Sequence, residues 1–152
     1  MTTQSTVTTK DKVRNTLMIA LQRLGLPVGP IQLLTVPGRK SGQPRTTPVA
    51  PVLIDGTYYV TQAYPHADWV KNARAAGHGT LARGRSRQDV DLVELPEGER
   101  AAILGELPGQ NPRGASAFVR NGLVEAPTRE AFAAAAPRIP VFRVVPRTAT
   151  PA

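Results

Sequence analysis

Asp55-Gly56 stands between two runs that read as strands, TTPVAPVLI at 46–54 and TYYVTQA at 57–63. A two-residue link of this kind tolerates positive φ at both positions, the backbone geometry that folds a strand straight back on its neighbour. It commits the middle of the chain to an antiparallel hairpin. Fifteen prolines and thirteen glycines in 152 residues carry the same message further. They demand many turns and short elements, which favours strands over a bundle of long helices. Pro48 and Pro51 make the first of the two strands an edge or bulged strand, because proline cannot donate to a ladder.

Around this hairpin the other elements can be placed. Residues 10–25 repeat apolar side chains at helical intervals (Val13, Leu17, Ala20, Leu21, Leu24), and Gly25 and Pro27 stop the repeat. The opposite face of that helix is basic, with Lys12, Arg14 and Arg23. It suits a surface helix packed on its own domain, and it also suits one lying on a membrane or partner. IQLLTV reads as the first strand and HADWVKNARAAG as a short helix ended by Gly77. GTLARG and RQDVDLVEL read as a fourth and fifth strand meeting at the turn RGRSR. PEGERAAILGEL has the proline and acids a helix N-terminus prefers. After it come two short helical pieces, ASAFVRN and TREAFAAAA, and a last strand, IPVFRVV. The order implies a mainly β, α+β architecture, a small barrel with helices at its ends.

The length fits one domain with a substantial core, expected over residues 10–146, with 1–9 as a disordered arm and 147–152 as a flexible end. No run of 18 apolar residues exists, and the first residues lack the apolar stretch of a secretory signal. The absence of cysteine removes disulfides, thiolate nucleophiles and thiolate metal sites, and fits a cytoplasmic protein.

The formal charge of +8 points to an anionic partner without saying which. Nucleic acid, an anionic membrane surface and a phosphorylated small molecule all remain open. The charge is concentrated in VPGRKSGQPRTTPV, residues 36–49, within a stretch from Asp11 to Asp55 that holds no acid between its ends. Glycines let backbone approach an anion, Ser41 and N–H groups donate to its oxygens, and arginine adds a two-pronged contact. The alternative is a solvated basic turn. It is not a phosphate loop of the GxxxxGK[ST] type, since that spacing is absent. A second group, Arg83, Arg85 and Arg87, lies in another acid-free interval. The two groups either converge on one groove or lie scattered.

Other chemistries find no support in the pattern. His66 and His78 have no HExxH-like neighbours, so no metal site is expected, and no GxSxG nucleophile elbow is present. Trp69 reads as a core anchor that could also stack on a planar ligand. Aromatic residues are only 5% of the chain and the basic loop has none, which argues against the interleaved aromatics of single-strand nucleic-acid binders.

The loop LLTVPGRKSGQPRTTPV, the DG hairpin and the run YYVTQAYPHADWVKNARAAGHGTLARGRSRQDVDLVEL together resemble the deazaflavin-dependent nitroreductases, small actinobacterial oxidoreductases that use coenzyme F420. The resemblance covers about residues 10–146. It implies a split β-barrel like that of FMN-binding proteins. The implied cofactor is F420H2, with FMN or another flavin as the alternative. It further implies hydride transfer to a small electrophilic acceptor: a quinone, an activated alkene or a nitro compound. By the same resemblance Arg39, Lys40, Ser41, Gly42 and Arg45 would grip the cofactor's phosphate. Thr47 and Pro48 would pass beside the ring, and Thr61, Gln62, Ala63 and Tyr64 would flank it. Trp69, Lys71 and Asn72 would contact the cofactor from the short helix. Tyr64 is the candidate for polarising the substrate. A homodimer is common in such barrels, and residues 10–25 offer a peripheral membrane contact. This chain departs from the nitroreductases in having no tyrosine between 105 and 137, only Phe118 and Phe132, which leaves the acceptor unspecified. A non-catalytic deazaflavin carrier and a nucleic-acid or membrane-surface binder are the competing readings.

Overall fold

The structure, a computed structural model, describes residues 31–62 and 67–147, together with Ile19. The expected arm, the helix over 10–25, Ala63, Tyr64, His66 and residues 148–152 lie outside the described residues. The elements in chain order are β1 (Gln32–Pro37), β2 (Pro44–Val49), β3 (Val52–Ile54), β4 (Thr57–Thr61), α1 (Asp68–Ala76), β5 (His78–Arg83), β6 (Ser86–Glu94), α2 (Glu97–Gln110), α3 (Pro112–Arg120), α4 (Arg129–Ala134) and β7 (Val141–Pro146).

All seven strands belong to one antiparallel sheet of order β2-β1-β5-β6-β7-β4-β3. The stretch read as one strand, 46–54, is therefore two. They lie on opposite edges of the sheet, separated by Ala50 and Pro51. In a flat seven-stranded sheet the edges would stand about 29 Å apart, at roughly 4.8 Å per gap. The three peptide steps from Val49 to Val52 reach at most about 11 Å. The sheet has to curl until its edges meet, which makes a half-closed barrel split between β2 and β3. Pro48 sits where the sequence places it, on an edge strand, while Pro51 falls in the link between the two strands. The hairpin also forms as expected: Asp55 and Gly56 have φ of 49° and 80°, and Ile54 pairs with Thr57.

The curl separates two cores. On its concave side Leu34, Val36, Val60, Val90, Phe142 and Val144 pack with Trp69, Val70 and Ala73 of α1. The Trp69 and Phe142 rings lie 5.6 Å apart and tilted. On the other face of β3, β4 and β7, residues such as Val52 and Val141 pack with α2, α3 and α4, centred on Phe132 and its edge-on neighbour Phe118. Successive residues of β7 serve the two sides in turn, Val141 one core and Phe142 the other.

Polar ties fix the helices to the sheet. The Arg74 guanidinium donates to both oxygens of Glu94, at 2.9 and 2.8 Å, and joins α1 to the end of β6. Arg100 of α2 reaches the same carboxylate at 3.5 Å and donates to the Leu95 carbonyl. The hydrogen bonds from Arg74 and, beyond them, the charges of Arg74 and Arg100 hold the Glu94 carboxyl below the usual carboxylate range, against the opposing effect of burial. Gln110, at the end of α2, accepts from the Leu53 N–H at 2.9 Å and donates to the Leu53 carbonyl at 2.6 Å. Its amide takes the place a neighbouring strand would have on the free edge of β3. At the other end of the chain, Arg147 follows β7. Its N–H donates to the Asp89 carbonyl and its side chain to Asp91. Among the described residues no helix is long and apolar enough to cross a membrane.

Two outcomes test this arrangement. A Cβ on Gly79 would stand 2.5 Å from the Thr35 carbonyl oxygen, where β5 crosses β1. Gly79→Ala should lower stability by about 1–3 kcal/mol in urea unfolding, the cost of forced overpacking. Because Glu94 is depressed, its contribution is complete above the ordinary carboxylate range and lost as the pH falls through the lowered value. Glu94→Gln should flatten the acid limb of stability against pH. At neutral pH it should cost only about 0.5–1 kcal/mol, as expected for a partly exposed pair.

Candidate functional site

The basic loop is built by its own backbone. β1 and β2 pair out to Pro37 and Pro44, leaving six residues to turn the chain. The Gly38 N–H donates to the Gln43 carbonyl at 2.9 Å, the Gly42 N–H to the Gly38 carbonyl at 2.8 Å, and the Gln43 N–H to Ser41 Oγ at 3.2 Å. Gly42 has a φ of 73°, the left-handed region that closes the turn. With its ends held this way, the loop projects Arg39, Lys40 and Ser41 over the start of α1.

α1 meets the loop through an i, i+4 pair. Asn72 Oδ1 accepts from both the Arg39 N–H, at 3.1 Å, and Arg39 Nη1, at 2.8 Å. Asp68 Oδ1 lies 3.4 Å from Arg39 Nη2 in a solvent-exposed pair. Between loop, β2 and helix lies a cleft of about 510 Å³, within the range of small-molecule sites. Gly38, Arg39, Lys40 and Ser41 form one end of it, and Arg45, Thr46 and Thr47 of β2 run along a side. Gln62 follows from the exit of β4, and Ala67, Asp68, Trp69 and Asn72 close it. Three cationic side chains face one carboxylate. Among the described residues neither Lys40 nor Arg45 takes part in an ion pair. The N-terminus of α1 opens on the same cleft and adds the partial positive charge of its first turn. The arrangement suits an anionic group at the loop end and an apolar, planar one against Trp69.

Of the residues expected at a site, Arg39, Lys40, Ser41, Arg45, Thr47, Gln62, Trp69 and Asn72 line this cleft. Four others do not. Pro48 follows Thr47 on β2 and lies outside the lining. Thr61 turns away to donate to the Pro140 carbonyl. Lys71 is exposed on α1, outside the lining. Gly42 shapes the turn and lines a smaller hollow behind it, of about 290 Å³. Trp69 is buried in the core at 6% exposure, as expected of an anchor, and also borders the cleft. Gly38 lines the cleft as part of the basic loop the sequence singles out, and Thr46, Ala67 and Asp68 do so without having been expected. The signal for Asp68 was its spacing of four from Asn72, which puts both on one helix face.

The arginine turn takes no part. Leu33 of β1 pairs with Ala82 of β5, so residues 83–87 lie beyond the Gln32 end of β1. The basic loop lies beyond its Pro37 end, about 20 Å away along the strand. The two basic groups do not form one groove.

The curled, split antiparallel sheet is a split barrel of the FMN-binding type. A conserved hypothetical protein of Mycobacterium tuberculosis shares it, with a TM-score of 0.54 at 12% identity over 97% of this chain and 87% of its own. Residues 9–117 match the F420H(2)-dependent quinone reductases, and the chain belongs to that family of deazaflavin-dependent reductases. A structure described as an F420-H2 dependent reductase (FDR-A) is 25% identical over 76% of this chain and 94% of its own, with a TM-score of 0.48. One described as a domain-swapped dimer is 23% identical over 90% and 99%, with a TM-score of 0.49. A search of curated proteins finds no match.

The loop supplies a test of its own construction. Gly42→Ala forces a side chain into the left-handed region and should cost about 1–2 kcal/mol, measured by thermal or urea unfolding. Nothing lies within 4 Å of the added Cβ, so the loss is conformational and Gly42→Asn should recover part of it.

Proposed function

We propose that this cleft holds the reduced deazaflavin, its phosphate at the loop end and its ring against Trp69, and that the acceptor is a quinone. One observation carries the reading. A loop of Arg39, Lys40 and Ser41 is fastened to the N-terminus of α1, so donors and positive charge converge on one end of a cleft that Trp69 also borders. These residues fit an anionic, planar cofactor of the kind the family uses.

Each side chain then has a task. Arg39 and Lys40 offset the phosphate charge. Arg39 can donate in a planar fork, whereas Lys40 acts as a compact charge. Ser41 Oγ already accepts from the Gln43 N–H, so its hydroxyl proton is the part left to give to a phosphate oxygen. Arg45 extends the positive wall along β2, on the same face as Thr47. Thr47 and Gln62 offer polar contacts along the cleft, and Trp69 excludes water from its part of the wall. When bound, F420H2 supplies a hydride, so the chain needs no nucleophile of its own. Its work is binding, orientation and exclusion of water.

Arg39→Ala combined with Lys40→Ala removes two charge-assisted contacts and should weaken F420 binding by roughly 100-fold, followed by cofactor fluorescence, with little change in melting temperature. An unchanged dissociation constant would remove the loop from the site. Turnover is tested by following reoxidation of F420H2 with a panel of quinones. Binding without acceleration by any of them would make the protein a carrier of the cofactor instead.

A further inference from the structure

Asn72 is the single polar residue in the buried set of the described residues, at 4% exposure, between Trp69, Val70 and Ala73. A buried amide has to find hydrogen-bond partners. Here its oxygen crosses to another element and takes two hydrogen bonds from one residue. The Arg39 N–H holds one end of that side chain and Nη1 the other. A free arginine has many rotamers to lose when it binds an anion, whereas one tied at both ends has already lost them.

The chemistry of the acceptor matters as much as its position. An amide oxygen orients a guanidinium without cancelling its charge. A carboxylate in the same place would orient it equally well and neutralise it. The one carboxylate that does reach Arg39, on Asp68, is 82% exposed and at 3.4 Å, a contact that solvent screens and an anion can replace. The donor edges that Asn72 does not use remain available on the cleft side.

We infer that Asn72 is a positioning residue, which aims Arg39 at the anion end of the cleft and leaves its charge intact, rather than a ligand contact in its own right. The inference rests on the reading of the cleft as a cofactor site, and the two can fail separately.

The test is a double-mutant cycle read by F420 titration, with wild type, Arg39→Ala, Asn72→Ala and the double variant. It is joined by 15N NMR of the Arg39 side chain in the ligand-free protein. Asn72→Ala should weaken binding by about tenfold and mobilise the Arg39 guanidinium. The double variant should bind no worse than Arg39→Ala, to within about twofold, because Asn72 acts only through Arg39. Asn72→Asp, nearly isosteric and checked for folding by circular dichroism, should keep Arg39 ordered yet bind several-fold more weakly than wild type. Losses that multiply in the double variant would show that Asn72 touches the ligand itself and would overturn the inference. So would an Arg39 side chain equally ordered in Asn72→Ala, or an Asn72→Asp variant that binds like wild type. If Arg39→Ala binds F420 unchanged while Asn72→Ala still mobilises Arg39, the cofactor reading has failed and the mechanical link has not.

Discussion

Three peptide steps between opposite edges of a sheet govern this protein. Ala50 and Pro51 join β2 to β3, and no flat or gently twisted sheet can satisfy so short a tether. Once the sheet curls, the other features follow. A concave side exists for α1 to fill, a convex side for α2 to α4 to cover, and β2 comes round toward the end of β4. The cleft forms there because it draws Arg45 and Thr47 from one edge of the sheet and Gln62 from beside the other. Its walls are distant in pairing order and close in space.

The sequence was most legible where its constraints are local. Asp55-Gly56 specified a turn that two residues can make alone, and Gly77 ended α1 as a left-handed cap. Thr128 opened α4 by accepting from the Ala131 N–H. What could not be read was the break within 46–54. β2 and β3 follow one another in a single extended run and are told apart by which partner each takes, and partner choice is a property of the whole sheet. α2 likewise continues through Pro108 to Gln110, where the sequence alone suggests an earlier stop. Its last residue is held by the hydrogen bonds to β3.

The site was half legible for a related reason. Residue types in one loop declared an affinity for anions, and the family resemblance joined that loop to the helix of Trp69. The contact that organises them spans 33 positions, from Arg39 to Asn72, and has no signature in either segment. Charge read along the chain also misled in detail. The loop is far from any acid in sequence, yet Asp68 stands beside it in space. The arginines at 83, 85 and 87 resemble it in composition, yet occupy the other end of the sheet.

Gln110 has a consequence beyond joining α2 to β3. A split barrel, unlike a closed one, retains two edge strands, and an edge with unpaired N–H and carbonyl groups can template the addition of another chain. On β2, two prolines withhold donors. On β3, one side chain gives and accepts a hydrogen bond at Leu53, so the exposed leucine there presents no free ladder to a stranger. A primary amide can answer both backbone groups at once, whereas a carboxylate cannot donate and an ammonium cannot accept. The protein can keep its barrel open, as a cleft at its seam requires, while its two edges stay closed to polymerisation.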